Sequence, residues 1–126
     1  MKKAVVVLMA LMFFSSVVYA GSLAFEKQAG DFAVDVSIDN NPPKVGKNRM
    51  DIELWDDNGE EVTDAKIDIY YFMPSMRAMN YATSAEFKDG VYTAVIKPTM
   101  PGRWDVDITI KGKGADRKAI ISFEAK

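Results

Sequence analysis

Methionine is the residue whose number and spacing in this sequence could support chemistry. Met73, Met76 and Met79 follow one another at intervals of three, and Met100 stands further along the chain. In an irregular or turn-like segment, residues three apart can point to the same side. The thioether sulfur is a soft ligand that selects Cu(I) and, by the same logic, Ag(I). It needs no deprotonation, so such a site would keep its ligands in acid. These four methionines are the candidate metal ligands of the chain.

The same methionines have a second interpretation, in which they only fill space. Methionine is flexible and polarizable, and it occupies irregular gaps in cores. Met73 follows Phe72 and could cap the core, and Met100 could pack on the indole of Trp104, because contacts between sulfur and aromatic rings are favourable. The two interpretations differ in geometry, since sulfurs converge in a metal site and are splayed or buried in a core.

Two residue types that carry much enzyme and metal chemistry are missing from the sequence. The chain contains no cysteine and no histidine. A Ser-His-Asp or Cys-His catalytic site is therefore impossible within the chain, and so are an ordinary zinc site and a blue-copper site. Without disulfides, a domain of this size depends on its apolar core.

Acidic residues cluster around an Asn-Gly pair, where oxygen ligands could hold Ca²⁺. The cluster lacks the alternating Asp-x-Asn-x spacing and the terminal Glu of a calcium loop, so a solvated hairpin turn is the better interpretation. Two carboxylate pairs, Asp51 with Glu53 and Asp105 with Asp107, alternate with core residues and are expected to face water. With no recessed nucleophile or base, the sequence predicts that the protein is not an enzyme. The cluster comprises Asp56, Asp57, Glu60, Glu61 and Asp64.

The elements that must position these residues are β-strands. Seven segments alternate apolar and polar residues with a period of two, and turn signals separate them. This pattern predicts an antiparallel β-sandwich of about seven strands, in which Trp104 is a large anchor of the core. Residues 23–30 are expected to be a loosely held lead-in. The predicted strands are residues 31–38, 49–54, 65–72, 81–88, 91–97, 104–110 and 117–125.

The methionines lie in the segments that follow two of these strands. Residues 73–80 are predicted to be irregular, since they contain a proline, and residues 98–102 form a turn with two prolines. In an up-and-down topology the third and fifth strands run in the same sense, so Met100 could approach the other three methionines. Four aromatic residues bracket the first segment and could wall a shallow site or a partner surface, although packing on a sheet face explains at least two of them. They are Tyr70, Tyr71, Phe72 and Tyr81.

The first twenty residues have the composition of a signal peptide. Two lysines precede an unbroken apolar run, residues 4–14, and residues 18–20 fit a signal peptidase site. The apolar run is shorter than the ~20 residues that span a bilayer, so the sequence predicts cleavage before Gly21 and no stable membrane anchor afterwards. The domain organisation is therefore a signal peptide, residues 1–20, and one periplasmic or secreted domain, residues 21–126.

Cleavage would also change the charge and the methionine content. Removal of two lysines takes the net charge from −2 to −4. A mildly acidic domain with no basic run is a poor candidate for binding nucleic acid. Removal of three of the eight methionines leaves five, of which four stand in the two segments described above.

Four short motifs, in order along residues 50–110, resemble the YtkA-like domain family. Residues 50–67 resemble its opening strand, Asp-Gly turn and Ala-x-Val step, and residues 73–76 (Met-Pro-Ser-Met) its Met-Pro-x-Met signature. Residues 90–94 (Gly-Val-Tyr-Thr-Ala) are similar to its Gly-x-Tyr-x-Ala strand. Residues 100–106 (Met-Pro-Gly-Arg-Trp-Asp-Val) are similar to its Met-x-Gly-x-Trp-x-Val motif.

The resemblance implies an immunoglobulin-like sandwich in the periplasm or on the cell surface. Related domains accompany heavy-metal efflux adaptors, and the FixH proteins of copper-oxidase assembly are similar. This chain departs from a metallochaperone pattern, because it lacks histidine and any Met/His tail.

Two functional hypotheses follow. The first is a non-enzymatic domain that binds Cu(I) or Ag(I) through Met73, Met76, Met79 and Met100 in metal handling or efflux. The second is a metal-free protein-interaction module of an envelope complex. The partner implied is an envelope protein such as a metal efflux or oxidase-assembly component.

Overall fold

Eight β-strands make up the regular structure of residues 21–126, the part of the chain that this computed structural model describes. The predicted signal peptide, residues 1–20, lies outside the described residues. Within residues 21–126, no helix is long and apolar enough to cross a membrane. The strands are β1 (Leu23–Ala29), β2 (Phe32–Ile38), β3 (Asn48–Trp55), β4 (Lys66–Met73), β5 (Met76–Lys88), β6 (Val91–Ile96), β7 (Gly102–Gly112) and β8 (Ala115–Ala125).

The strands form two antiparallel layers that share one long strand. Their order is β1-β2-β3-β6-β5-β4-β7-β8. We call β1, β2, β3 and β6 the first sheet, and β4, β7 and β8 the second sheet. The last residues of β5, 86–88, pair with β6, whereas its residues 80–85 pair with β4, so β5 passes from one sheet to the other. This arrangement confirms the predicted all-β antiparallel sandwich, with eight strands in the described part of the chain.

The extra strand is β1, in the segment that was expected to be a loosely held lead-in. The segment is a strand and not a lead-in, because β1 pairs with β2 along its whole length, from Leu23 opposite Ile38 to Ala29 opposite Phe32. Ala29 is the only residue of β1 that is fully buried, so the segment lacks the strong alternation that marks the other strands. The strand β1 is defined by backbone pairing at the edge of the sheet. Such pairing leaves little trace in the hydrophobic pattern.

The apolar half of each remaining strand faces the interior, as the alternation predicts. Trp104 is fully buried and anchors the core. Burial of one large side chain stabilises the fold by about 1.5–3 kcal/mol, so a continuous two-layer core can hold the domain without disulfides. The inward series include Phe32, Val34, Val36 and Ile38 in β2, Met50, Ile52 and Leu54 in β3, and Trp104, Val106, Ile108 and Ile110 in β7.

Arg117 in β8 joins the free edges of the two sheets. Its guanidinium carbon lies 3.8 Å from the centroid of the Phe32 ring, and its Nε donates a hydrogen bond to the carboxylate of Asp31 in the β1–β2 turn. A Cβ on Gly30 would lie 3.3 Å from the Cγ of Arg117, and Gly30 has a φ of +60°. Glycine therefore lets the turn approach the arginine, which fixes the Ala29 end of β1.

Candidate functional site

The first methionine segment is a tight hairpin. Met73 ends β4, Met76 begins β5, and the two residues pair across the turn formed by Pro74 and Ser75. The prediction that residues 73–80 are irregular is wrong, because a two-residue turn lets the strand ladder restart at once. Pro74 is tolerated because it lies in the turn, where it donates no ladder hydrogen bond.

A bulge in β5 follows the hairpin turn. The register shifts between Phe72, which pairs with Asn80, and the pair of Met73 with Met76, so β5 carries residues 77–79 as an insertion. The side-chain amide of Asn80 supports this bulge by donating hydrogen bonds to two of its carbonyl groups, at 2.9 and 3.4 Å. A bulge redirects the side chains around it, and the last inserted residue, a methionine, packs against the core.

The second methionine segment meets the hairpin at the same end of the sandwich. The indole N–H of Trp104 donates to the carbonyl of Met100 at 3.0 Å, which folds the segment back over the buried ring. Gly102 lies against Met73, since a Cβ on Gly102 would be 3.0 Å from the Cε of Met73. Gly102 also has a φ of +127°, which side chains rarely adopt. Glycine is thus needed here for both the backbone and the contact.

Tyr81 joins the two methionine segments through its hydroxyl group. The hydroxyl donates to the sulfur of Met79 at 3.8 Å and lies 3.1 Å from the Oγ1 of Thr99. The Tyr81 ring packs against both Tyr71 and Trp104, at centroid distances of 5.6 and 6.1 Å, and these two rings also contact each other at 5.9 Å. An aromatic cluster therefore supports the place where the segments meet.

The four candidate ligands differ in exposure. Met73 is only 5% exposed, whereas Met76 at the hairpin tip is 45% exposed. Met79 and Met100 are half-buried and pack against the core. Three of the methionines thus contribute to packing, and two of those three also reach the surface, where a soft metal could approach their sulfurs. Metal binding at these residues stays a prediction.

The four aromatic residues that bracket the hairpin divide between two faces. Tyr71 and Tyr81 belong to the methionine end, whereas Tyr70 and Phe72 lie on the outer face of the second sheet with their rings 5.5 Å apart. The hydroxyl of Tyr71 accepts a hydrogen bond from the backbone N–H of Lys97 at 3.0 Å. Burial raises the pKa of Tyr71, so its hydroxyl stays neutral. Tyr71 therefore contributes no charge beside the methionines.

The acidic cluster after β3 is a hydrogen-bonded turn. The carboxylate of Asp56 accepts from the backbone N–H groups of Asn58 at 2.9 Å and Glu60 at 3.0 Å. Such bonds are what an aspartate provides in a turn. Across residues 21–126, no three His, Cys, Asp or Glu side chains are grouped so that they could hold a metal ion.

The carboxylates expected to face water are partly covered. Asp105 accepts hydrogen bonds from Ser122 at 2.8 Å and Arg103 at 3.1 Å. Asp51 accepts from Arg49 at 2.8 Å and Thr93 at 3.0 Å. Both carboxylates lie on outer sheet faces, where each pairs with an arginine and accepts a hydrogen bond from a hydroxyl group.

A row of carboxylates that the sequence analysis missed crosses the first sheet. Glu26 in β1 pairs with Asp35 in β2, and Asp35 pairs with Glu53 in β3. One carboxylate oxygen of Asp35, Oδ1, is buried and has no hydrogen-bond partner among residues 21–126. Burial, assisted by the two flanking glutamates, raises the pKa of Asp35 to about 7. The alternating acidic residues were visible in the sequence, but their alignment depends on the register of β1.

These features define the class of protein to which the chain belongs, an all-β antiparallel sandwich domain. The model of the YtkA-like family matches residues 26–109, more than half of the sequence. The protein therefore belongs to the YtkA-like family, which confirms the resemblance seen in its motifs.

A solved structure supports the fold independently of the sequence motifs. The soluble domain of PmoD from Methylocystis sp. ATCC 49242 (Rockwell) superposes with a TM-score of 0.58. The match covers 82% of this chain and 98% of that domain, at 10% sequence identity. At this identity the similarity concerns the fold. No curated protein matches the sequence closely enough to count as a relative.

Proposed function

We propose that this YtkA-like domain is a non-enzymatic binding domain for Cu(I) or Ag(I), acting in metal handling or efflux in the periplasm or in secreted form. The thioether sulfurs of Met79 and Met100 are the central ligands, with Met73 behind them and Met76 at the rim. The observation that carries the proposal is the junction at Tyr81, whose hydroxyl contacts the sulfur of Met79 and the side chain next to Met100.

The chemistry of the side chains supports a soft monovalent metal. Thioether sulfur binds Cu(I) well, whereas hard cations such as Ca²⁺ and Mg²⁺ take oxygen ligands. The neighbouring rings of Tyr71, Tyr81 and Trp104 make the surroundings apolar. An apolar surrounding favours a monovalent ion over a divalent one, because burying the larger charge costs more free energy.

The proposal is tested by titrating the purified protein with Cu(I) against a competing chelator. Met79→Leu and Met100→Leu conserve volume and remove the sulfur, and each is expected to weaken binding at least about tenfold, or about 1.4 kcal/mol. Met50→Leu is the matched control, since Met50 is fully buried in β3. Its Cu(I) affinity is expected to equal that of the unmodified protein.

The double variants decide the ligand set. Met79→Leu combined with Met100→Leu is expected to abolish binding, and Met76→Leu combined with Met79→Leu shows whether the rim residue adds a further ligand. Wild-type affinity in the Met79→Leu/Met100→Leu protein would refute the site. Loss of affinity in the Met50→Leu control as well would show that the measured binding follows general packing.

The exposed hairpin tip favours a second function, a metal-free module that docks an envelope protein such as a metal efflux or oxidase-assembly component. Met76 is 45% exposed, and Tyr70 on the adjoining outer face is 40% exposed. The guanidinium carbon of Arg77 lies 4.8 Å from the centroid of the Phe72 ring. Exposed methionine and aromatic side chains suit protein recognition.

Substitution at the tip separates the two functions. In the interaction module, Met76→Glu abolishes capture of the partner, and capture by the unmodified protein persists when a chelator removes Cu(I). In the metal-binding domain, Met76→Glu leaves Met79 and Met100 able to bind Cu(I). Capture that disappears on chelation would count against the metal-free module.

A further inference from the structure

The carboxylate row on the outer face of the first sheet has an arrangement that opposes pairing of β1. Glu26, Asp35 and Glu53 lie directly opposite one another on three neighbouring strands. Side chains in such positions have Cβ atoms about 4.5–5.5 Å apart, and like charges directly opposite each other are destabilising. With all three groups ionised, β1 would be attached to the sheet against the repulsion between its only glutamate and Asp35.

Within residues 21–126, the cavity beside Asp35 holds no compensating cationic side chain. This cavity has a volume of about 360 Å³, and the residues that line it include four carboxylates and neither lysine nor arginine. Arg49, on the neighbouring strand, is engaged in an ion pair with Asp51 at 2.8 Å. Lys27 in β1 pairs with Val34 and so lies on the opposite side of the strand from Glu26.

The groups that face Asp35 can be named for each adjacent strand. β1 presents Glu26, and β3 presents Glu53 directly opposite and Asp51 two pairs further along. Beyond β3, the residues of β6 that lie in this region are Val91 and Thr93, which carry no charge. Glu26 and Glu53 therefore act on the carboxyl of Asp35 by charge repulsion. Among residues 21–126, no lysine or arginine lines the adjoining cavity, and the Oδ1 atom of Asp35 is buried and unpaired.

The strand that would respond is the least secured strand of the sandwich. In β1 only Ala29 is fully buried, and Leu23 and Phe25 are half-buried against the core. The Ala29 end is fixed by the turn that Arg117 holds, whereas the Leu23 end has no such clamp in the hydrogen bonds of residues 21–126. Elements with few buried side chains open at low free-energy cost, and here the opening would start at Leu23.

We propose that the protonation state of Asp35 controls how firmly the edge strand β1 is attached to β2. When Asp35 is protonated, β1 stays paired with β2, and when Asp35 ionises, the Leu23 end of β1 loosens. A protonated Asp35 removes the central charge of the row and can donate a hydrogen bond to a flanking glutamate. An ionised Asp35 leaves three negative charges in line. Loosening of β1 uncovers the backbone edge of β2 and the inner side of Leu23 and Phe25.

The pH window follows from the direction of the shift. The pKa of Asp35 is raised from 3.8 to about 7, chiefly by burial and then by Glu26 and Glu53. The folded protein therefore holds a proton that the unfolded chain has lost, and stability falls as pH rises through this range. The pKa of Glu53 is raised by burial in the same direction. The hydrogen bond from Arg117 lowers the pKa of Asp31, so Asp31 becomes protonated only in stronger acid, outside this window.

The test compares the purified protein with its Asp35→Asn variant at about pH 5 and about pH 8, which bracket the raised pKa. In the unmodified protein, the hydrogen-exchange protection of residues 23–29, corrected for the intrinsic effect of pH, is expected to fall at least about tenfold between the two values. Protection of β7 is expected to change little. In Asp35→Asn most of this fall disappears. An Asp35→Asn protein that retains the fall overturns the proposal.

A second variant keeps the proposal falsifiable if Asp35→Asn does not fold. Glu26→Gln changes an exposed side chain and removes one of the two charges opposite Asp35. Because Glu26 raises the pKa of Asp35, the transition in β1 protection is expected to move to lower pH and to become smaller. With one repulsive charge removed, β1 stays protected in a larger fraction of molecules at about pH 8. Glu124→Gln, on the exposed face of β8, is the control and leaves the transition unchanged. Equal behaviour of the two glutamate variants would overturn the proposal.

Discussion

The methionine end and the carboxylate row are positioned by different means. The methionines come from a hairpin, a bulge and a turn, and they are held by packing around Trp104 and by the hydroxyl of Tyr81. The carboxylates come from three neighbouring strands, and the sheet register alone aligns them. The first region depends on close contacts between apolar and aromatic side chains, whereas the second consists of carboxylates and depends on protonation. Substitutions that disturb packing and changes of pH should therefore affect different ends of the molecule.

Trp104→Ala is expected to cause the largest loss of unfolding free energy, and it acts at the methionine end. Trp104 is fully buried and supports the Met100 segment through its indole N–H. Truncation of a buried tryptophan costs about 3–5 kcal/mol of unfolding free energy. Urea unfolding at about pH 5 and about pH 8 measures this loss, and the loss should be the same at both values because the carboxylate row is untouched. A loss confined to one pH would show that the two regions are coupled.

Gly102→Ala should have an intermediate effect confined to the junction with Met73. The new Cβ would lie 3.0 Å from the Cε of Met73 on a backbone with a φ of +127°, and strain of this kind costs about 1–3 kcal/mol. Gly114→Ala is the matched control, since Gly114 also has a positive φ, +78°, but has open space around its Cβ position. Urea unfolding should show a larger loss for Gly102→Ala.

A double substitution isolates the contact itself. Combining Gly102→Ala with Met73→Ala removes the side chain that the new methyl group would meet. If the contact matters, the two losses are less than additive by about 0.5 kcal/mol or more. Additive losses would assign the whole effect of Gly102→Ala to its backbone.

Much of the fold could be predicted from the sequence because most strands bury one face. The alternation of β2, β3 and β7 gave the inward residues correctly, and Trp104 is the core anchor that its position suggested. The strand β1 was missed because edge pairing depends on backbone hydrogen bonds, which are independent of side-chain type. The start of β5 was missed because Pro74 indicates the end of regular strand structure, although it occupies only a two-residue turn.

The candidate site was predictable in its residues and less so in their arrangement. The spacing of the methionines singled out two segments that the structure brings to the same end of the sandwich, but a bulge supported by Asn80 sets where Met79 packs. The contact of Gly102 with Met73 joins residues far apart in sequence, so no local pattern could reveal it. The alignment of Asp35 with its acidic neighbours required a register, and a register follows from pairing across strands.

Tyr81→Phe is expected to cause the smallest loss of unfolding free energy at the methionine end. It keeps the ring packed against Tyr71 and Trp104 and removes the hydroxyl that contacts Met79 and Thr99. Loss of one such hydrogen-bonding group costs about 0.5–1.5 kcal/mol. The loss, measured by urea unfolding, should be equal at about pH 5 and about pH 8, because the groups that this hydroxyl contacts within residues 21–126, on Met79 and Thr99, do not titrate.

Tyr70→Phe supplies the control for this small effect. Tyr70 lies on the outer face of the same sheet region and is 40% exposed, so removal of its hydroxyl should change the unfolding free energy by less than about 0.5 kcal/mol. Equal losses for the two phenylalanine variants would mean that the hydroxyl of Tyr81 does not join the methionine segments. A greater loss for Tyr81→Phe, unchanged by pH, would show that contacts rather than charge hold this end of the sandwich together.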